Sequence, residues 1–316
     1  PCILLNLLVI YLVRKFSPKA LGTYKYLLIS FASCDIFLVV LHAIINPKVI
    51  ARHGAFGVIS LNFLSNKYIT IMYGACFTLP FLLLDIHFLY RYWAVSPYIL
   101  KDSLIYLFDK KWFIVGLIII VFAVGSFWYS LLLFATVTNV AGVSESLVLI
   151  AQEFNTTSID GWLIFRLNDK LTLNSEISLI LLDIAMIICL GFSITLASLT
   201  YFEIKRTNEL SSSDKSMQIT LLVVASVQTF VPFVCVYIPY LYVLSLPFLN
   251  TSSALITNIS TVLHAIFPTL DAIVIIALMK PYRRGLMGML RRRKAPVIPH
   301  LYAFTADITS VVTART

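Results

Sequence analysis

The chain has 316 residues, of which 59% are apolar and 12% are charged, and its mean hydropathy is +0.92. A soluble domain carries about 25% charged residues, so this composition excludes a soluble enzyme and a disordered protein and predicts a polytopic membrane protein. The net charge of +9 does not by itself indicate nucleic-acid binding, because the position of the charges decides their role.

Seven apolar runs approach or exceed the roughly 20 residues that a membrane-spanning helix needs. The runs are continuous rather than alternating, which favours helices over a β-barrel. In chain order the predicted spans are 1–13, 24–45, 68–90, 112–137, 177–202, 217–242 and 254–279. The fold class is therefore predicted to be an all-α membrane protein, a seven-transmembrane helix bundle.

The first predicted span is short, because Arg14 and Lys15 end it after 13 residues. The chain also begins with Pro1 rather than methionine. We therefore expect the first helix to begin upstream of this sequence.

Basic residues are concentrated in alternate loops. Of the 24 lysines and arginines, 19 fall in four segments on one side of the membrane: 14–25, 91–111, 203–216 and 280–316. Positive-inside bias makes that side cytoplasmic, with the N-terminus outside and the C-terminus inside. The charge of +9 is thus explained by membrane topology, and no nucleic-acid partner is predicted.

The sequence after the last span predicts a short helix and a tail. Tyr282, Leu286 and Leu290 recur every four residues, as in an amphipathic helix that lies on the inner leaflet and contacts membrane lipid. This suggests a membrane domain over 1–290 and a basic cytoplasmic tail over 291–316.

The loops predicted to be external contain two glycosylation sequons, at Asn155 and Asn250. One of these loops, 138–176, is long and rich in acidic residues. Two interpretations stay open for it, a lid over an external pocket and a solvated loop.

Ionisable residues within the spans are costly in a membrane and usually face the interior of the bundle. Asp35, Asp85 and Asp271 are candidates for a switching role, and interhelical hydrogen bonding alone is the alternative. Arg91, at the inner end of the third span, fits either an interfacial anchor or contact with a cytoplasmic partner. Candidates for ligand contact are polar or aromatic residues in the outer half of the bundle: His42, Tyr73, Asp183, Tyr237, Tyr240, Asn258 and His264.

Motifs for catalysis, cofactors or metals are not evident. The histidines show no close metal-ligand spacing, and no nucleophile elbow is present. The last span has no lysine that could form a retinal Schiff base. The sequence therefore predicts a protein without catalytic residues, resident cofactor or metal.

An ordered set of short motifs resembles the nematode serpentine chemoreceptors of the Str type, which are seven-transmembrane G-protein-coupled receptors. The motifs are Asn6–Leu12, Gly22–Leu28, Tyr90–Tyr92, Gln228–Pro232, Ile238–Pro239, Phe267–Asp271 and Tyr282–Arg283. The resemblance implies an olfactory receptor that binds a small odorant-like ligand and activates a heterotrimeric G protein. It also implies a location in the ciliary membrane of chemosensory neurons. Arg91, Tyr282 and Arg283 would then serve the coupling to the G protein.

The chain departs from such receptors at several positions. Asp271 is followed by Ala272, where the family usually has proline, and Tyr90 precedes Arg91 in place of the Asp-Arg-Tyr triplet of rhodopsin-like receptors. The alternative function is a small-solute transporter or an ion channel that uses the buried acids as a path. The lack of an inverted repeat argues against a transporter.

Overall fold

The fold is described from a computed structural model of the chain. It describes residues 1–18, 21–52, 55–60, 66–95, 110–135, 152, 161–166, 173–206, 212–246, 248–249 and 251–290. The predicted sequons at Asn155 and Asn250, the tail 291–316 and most of the loop 138–176 lie outside these residues.

Helices make up most of the described chain. They are α1 (Cys2–Phe16), α2 (Tyr24–Ile45), α3 (Lys67–Cys76), α4 (Leu79–Val95), α5 (Lys110–Ala135), α6 (Leu173–Arg206), α7 (Ser212–Pro232), α8 (Ile238–Ser245), α9 (Ala254–Leu278) and α10 (Lys280–Leu290). A π-helical turn, Phe233–Tyr237, joins α7 to α8. Pro232 and Pro239 lie on either side of this turn, and the missing proline N–H groups disturb regular helical hydrogen bonding there.

Six helical segments in the described part of the chain are long and apolar enough to cross a membrane. They are Tyr24–Ile45, Lys67–Val95, Trp112–Ala135, Asn174–Arg206, Lys215–Ser245 and Ala254–Leu278. Helix α1 has 15 residues, or about 22 Å at 1.5 Å per residue, which is less than the roughly 30 Å hydrocarbon core. It packs against α2 and α9.

A polar contact fixes α1 to α9. The Asn6 side-chain amide is fully buried and donates to the Pro268 carbonyl at 3.1 Å. Such interhelical hydrogen bonds from amide side chains help to hold membrane helices together.

A three-stranded antiparallel sheet caps one end of the bundle, and the all-α prediction omitted it. Its strands are β1 (Pro47–Arg52), β2 (Ala55–Ser60) and β3 (Leu163–Arg166), in that spatial order. The hairpin starts directly after α2, where Asn46 adopts a left-handed conformation and its backbone N–H caps the His42 carbonyl. Asparagine tolerates this conformation better than most residues, so the chain turns sharply into β1.

The bundle has two distinct ends, which we call the sheet end and the α10 end. The apolar core at the sheet end joins Phe56 and Phe165 of the strands to Trp128 of α5. The core at the α10 end joins Phe31 and Leu84 to Tyr282 of α10. Side chains on the outer face of the spans stay exposed, for example Phe122 at 77%, as expected for a surface that faces lipid.

Candidate functional site

An aromatic cluster lies between the helices at the sheet end. His42 of α2 and Tyr73 of α3 form a hydrogen bond of 2.9 Å between Nδ1 and Oη. His264 of α9 is 4% exposed and lies next to both rings, with centroid distances of 5.5 Å to His42 and 6.0 Å to Tyr73. Phe77 and Tyr240 complete the cluster, at 4.6 Å and 6.2 Å from the His264 ring.

The cluster forms one wall of a small apolar cavity of about 60 Å³. The cavity is enclosed by α3, the segment that follows it, α5, α6, α8 and the sheet. Its lining residues are Phe56, Val58, Tyr73, Gly74, Phe77, Thr78, Leu132, Leu163, Phe165, Leu182, Met186, Tyr240 and Leu244.

The sheet forms the roof of this cavity. Phe56 and Val58 of β2, and Leu163 and Phe165 of β3, point into it. Within each strand the lining residues are two positions apart, as expected because alternate side chains of a strand face the same side. Leu163 and Phe165 of the loop 138–176 therefore line the cavity, while most of this loop lies outside the described residues.

One polar atom in the cluster has no described partner. The Nδ1 atom of His264 is buried and makes no hydrogen bond to any described residue. A buried polar group without a partner is costly in an apolar environment. A ligand with one hydrogen-bonding group would satisfy this atom.

The other residues predicted to contact ligand are arranged differently. Tyr237 lies deeper in the bundle, against Phe81 at 4.5 Å between ring centroids, and is not among the cavity-lining residues. The Asp183 side chain on α6 is half-buried. Leu182 and Met186 of the same helix line the cavity, but Asp183 does not. Asn258 is exposed on α9 and lies apart from the cluster.

Phe77 and the roof residues of the sheet were not among the residues predicted to contact ligand. Two signals in the sequence point to the hairpin: β-branched residues in Val49-Ile50 and Val58-Ile59, and the intervening His53-Gly54 dipeptide. The short apolar run Trp162–Phe165 gives a weaker signal for β3, because it has only four residues.

We predict that Gly57→Val disrupts the roof. A Cβ atom at Gly57 would lie 3.0 Å from the Leu163 carbonyl oxygen, and this backbone atom cannot move without separating β2 from β3. Amide hydrogen exchange in residues 55–60 and 163–166 is expected to increase. Gly116→Ala is the control, because no atom lies within 4 Å of a Cβ there, and it should leave the exchange of both strands unchanged.

A second cluster surrounds Arg91 at the α10 end. Arg91 is 2% exposed, and its guanidinium carbon lies 3.4 Å from the centroid of the Tyr24 ring. Its Nη1 donates to Gln218 Oε1 of α7 at 2.9 Å. In the described part of the chain the titratable groups that face Arg91 are Tyr24, Tyr90, Tyr282 and His87, and none is a carboxylate. Arg91 is thus held by an aromatic ring and an amide.

Tyr282 connects α10 to this cluster. Its side chain is fully buried, and its hydroxyl forms a 2.9 Å hydrogen bond with Ser17, just beyond α1. Burial raises the pKa of Tyr282 to about 12, so the phenol stays neutral at physiological pH. Arg283 points away from the bundle, is exposed and donates to the Ala277 carbonyl at 3.2 Å.

The predicted switch acids lie between the two clusters. Asp35 of α2 and Asp271 of α9 are fully buried and interact electrostatically, and neither carboxyl has a hydrogen-bond partner among the described residues. Asp85 of α4 accepts a hydrogen bond from Ser193 of α6 at 2.5 Å. The structure thus pairs Asp35 with Asp271 and places Asp85 in a separate contact between helices.

Metal ligands do not cluster in the part of the chain that the structure describes: no group of three or more histidine, cysteine or acidic side chains is placed to hold an ion. The five cysteines are free thiols, buried or half-buried among apolar neighbours.

Comparison with known proteins identifies the family. The chain is 23% identical to the Caenorhabditis elegans protein "Serpentine receptor class r-10" over 324 aligned residues, which cover 95% of this chain and 91% of that protein. It is also 23% identical to the Caenorhabditis briggsae protein of the same description, covering 98% and 93% of the two chains. The family model for "Serpentine type 7TM GPCR chemoreceptor Str" matches residues 1–287. The chain therefore belongs to the Str family of serpentine seven-transmembrane G-protein-coupled chemoreceptors.

Proposed function

We propose that this receptor binds a small, largely apolar, odorant-like molecule in the cavity beneath the sheet and responds by activating a heterotrimeric G protein. The observation that carries the proposal is the unpartnered Nδ1 of His264 in the aromatic cluster whose residues Tyr73, Phe77 and Tyr240 also line the cavity. His264 itself is not a lining residue, and the polar side chains that line the cavity are Tyr73, Thr78 and Tyr240. An apolar pocket with a few polar groups is typical of small-molecule sites.

The size of the cavity restricts the ligand. Pockets for drug-sized ligands measure about 300–1,000 Å³, several times the 60 Å³ found here. A ligand of a few non-hydrogen atoms fits this volume best, and its polar group would have to reach His264 past the wall that Tyr73, Phe77 and Tyr240 form.

We further propose seven spans, with α1 as the first, and an orientation that places the sheet end outside and the α10 end in the cytoplasm. Positive-inside bias supports this orientation, because the basic loops join the helices at the α10 end. Residues 1–290 would form the receptor domain, with α10 on the inner leaflet and 291–316 as a cytoplasmic tail.

Asn155 and Asn250 would then be external and available for glycosylation. The plasma membrane of a sensory cilium is the proposed location.

The α10 end would contact the G protein. Ligand acts on such a receptor only through a difference in affinity between two conformations of the bundle. The buried pair Asp35 and Asp271 lies on α2 and α9, which carry His42 and His264 of the aromatic cluster, and α2 also carries Tyr24 of the Arg91 cluster. This position supports a switching role for the pair and for Asp85. Arg91, Tyr282 and Arg283 are proposed to act in coupling.

The test is His264→Phe in cells that carry a G-protein reporter and are exposed to a panel of small odorants. Phenylalanine keeps the ring contacts but removes both ring nitrogens, so a bound polar group loses its partner. A hydrogen-bonding group left unpaired costs about 1–3 kcal/mol, so we expect EC50 to rise about tenfold or more at equal surface expression.

Asn258→Ala is the matched control, because Asn258 lies on the same helix but is exposed away from the cluster. It should leave EC50 unchanged. An unchanged EC50 for His264→Phe, or an equal change for Asn258→Ala, would contradict the site. The transporter or channel alternative is not favoured by membership of a receptor family. A substrate flux or an ionic current in vesicles that contain only this protein would instead support the transporter or channel function.

A further inference from the structure

A groove separate from the ligand cavity runs along the outside of α6 and α7. It has a volume of about 640 Å³ and lies in the half of the bundle towards the α10 end. Its lining residues are Ala197, Ser198, Tyr201, Phe202, Leu222, Val223, Ser226, Val227 and Phe230.

Small residues between large aromatic residues create the groove. Ala197, Ser198 and Ser226 leave space at its floor, while Tyr201 and Phe230, 40% and 62% exposed, form walls. The Ser198 hydroxyl donates to the Ile194 carbonyl at 2.9 Å within its own helix. The serine therefore offers little unsatisfied polarity, and the groove is suited to a hydrocarbon chain.

Basic side chains lie at the open end of the groove. Lys205 Nζ lies 4.6 Å from the centroid of the Tyr201 ring, which is itself a wall of the groove. Arg206 ends α6, and Lys215 lies in the first turns of α7. Over 203–216 the sequence has as many acidic residues as basic ones, because Glu203, Glu209 and Asp214 balance Lys205, Arg206 and Lys215. The positive charge that favours an anion at the groove is therefore that of Lys205, which lies against its Tyr201 wall.

We propose that the groove binds one anionic phospholipid, with an acyl chain between Tyr201 and Phe230 and the headgroup on Lys205. Both helices that form the groove are long and apolar enough to span the membrane, so lipid has direct access to it. Its volume is in the range of about 300–1,000 Å³ found for specific ligand sites. A neutral phospholipid would occupy the same apolar walls but gain nothing from the lysine.

The test uses purified receptor in phosphatidylcholine nanodiscs that contain a trace of photoactivatable lipid. Phosphatidylserine and phosphatidylcholine that carry a diazirine on the acyl chain are compared, and labelled peptides are identified by mass spectrometry. Labelling of residues 194–230 is expected to be about fivefold stronger with phosphatidylserine, the preference that one basic residue near the headgroup provides. Neither odorant nor G protein is needed, so the result is independent of the receptor function proposed above.

Lys205→Gln is expected to reduce the labelling by phosphatidylserine to the level of phosphatidylcholine. Ser226→Trp and Ser198→Leu, which fill the groove at different points, should abolish labelling by both lipids while the protein still elutes as a single folded species. Lys25→Gln is the matched control: Lys25 lies 5.1 Å from the Tyr26 ring at the same end of the bundle, but Tyr26 does not line the groove.

Two results would overturn the proposal: equal labelling by the two lipids, or an equal loss in Lys25→Gln and Lys205→Gln.

Discussion

Replacing Gly285 with alanine is expected to destabilise the receptor and to separate α10 from α1. A Cβ atom at this position would lie 2.6 Å from Phe16 Cδ2 and 2.8 Å from Cγ, well inside van der Waals contact. The Phe16 ring must leave its place, and the neighbouring hydrogen bond between Tyr282 and Ser17 is strained as α10 moves. Overpacking of this kind costs about 1–3 kcal/mol, so the melting temperature of the purified receptor should fall.

Gly288→Ala is the matched control, and we expect it to act in the opposite direction. Gly288 lies three residues further along α10, and nothing lies within 4 Å of a Cβ at this position. Alanine is about 1 kcal/mol more favourable than glycine inside a helix, so Gly288→Ala should raise the melting temperature slightly. A shift of the same sign in the two variants would show that α10 does not pack on Phe16 as described.

Substitutions at Arg91 and at Gln218 are expected to change signalling in opposite directions. The hydrogen bond between them ties α4 to α7, and in the proposed activation an opening of the α10 end would break it. A hydrogen bond to a charged group contributes about 1.5–3 kcal/mol, so its loss shifts a two-state equilibrium by about tenfold or more. Gln218→Ala should therefore raise reporter activity in the absence of ligand.

Arg91→Ala is expected to lower ligand-driven signalling while the receptor still reaches the cell surface. The guanidinium proposed to contact the G protein is then missing, whatever the conformation of the bundle. Arg91→Lys keeps the charge but cannot lay a planar group on Tyr24, so it should retain part of the response.

Reporter activity is measured per surface receptor, and Arg14→Ala, an exposed arginine at the end of α1, should behave like the unaltered receptor. Activity changes of the same sign in Gln218→Ala and Arg91→Ala would contradict separate restraining and coupling roles.

Most of the helical framework could be predicted from the sequence, because membrane-spanning helices are recognisable as continuous apolar runs. The predicted span 24–45 coincides with α2, and 254–279 exceeds α9 by one residue. The inward face of α9 was largely predictable from helical spacing: Thr257, His264, Pro268 and Asp271 are buried, and Thr261 is half-buried. The pairing of Asp35 with Asp271 likewise agrees with the rule that ionisable groups avoid lipid.

The sheet could not be predicted in the same way, because its pairing is non-local. Phe56 of β2 pairs with Phe165 of β3, more than one hundred residues later, and no local periodicity encodes that register. The same limit applies within the site. Asn258 was predicted to contact ligand from its position in the outer half of its span, but its side chain is exposed in the structure. Phe77 lies just beyond α3, where helical spacing no longer predicts direction.

At the ligand site proposed beneath the sheet, the small volume of the cavity would limit how long a ligand stays bound. Even the best small ligands gain at most about 1.5 kcal/mol per non-hydrogen atom, so about five atoms provide no more than roughly 7.5 kcal/mol. The dissociation constant is then no tighter than a few micromolar. With association at about 10⁷ M⁻¹s⁻¹, such a complex dissociates within about a tenth of a second. A site of this size would bind its ligand weakly but release it quickly. A receptor with such a site could follow ligand concentrations that rise and fall within a second.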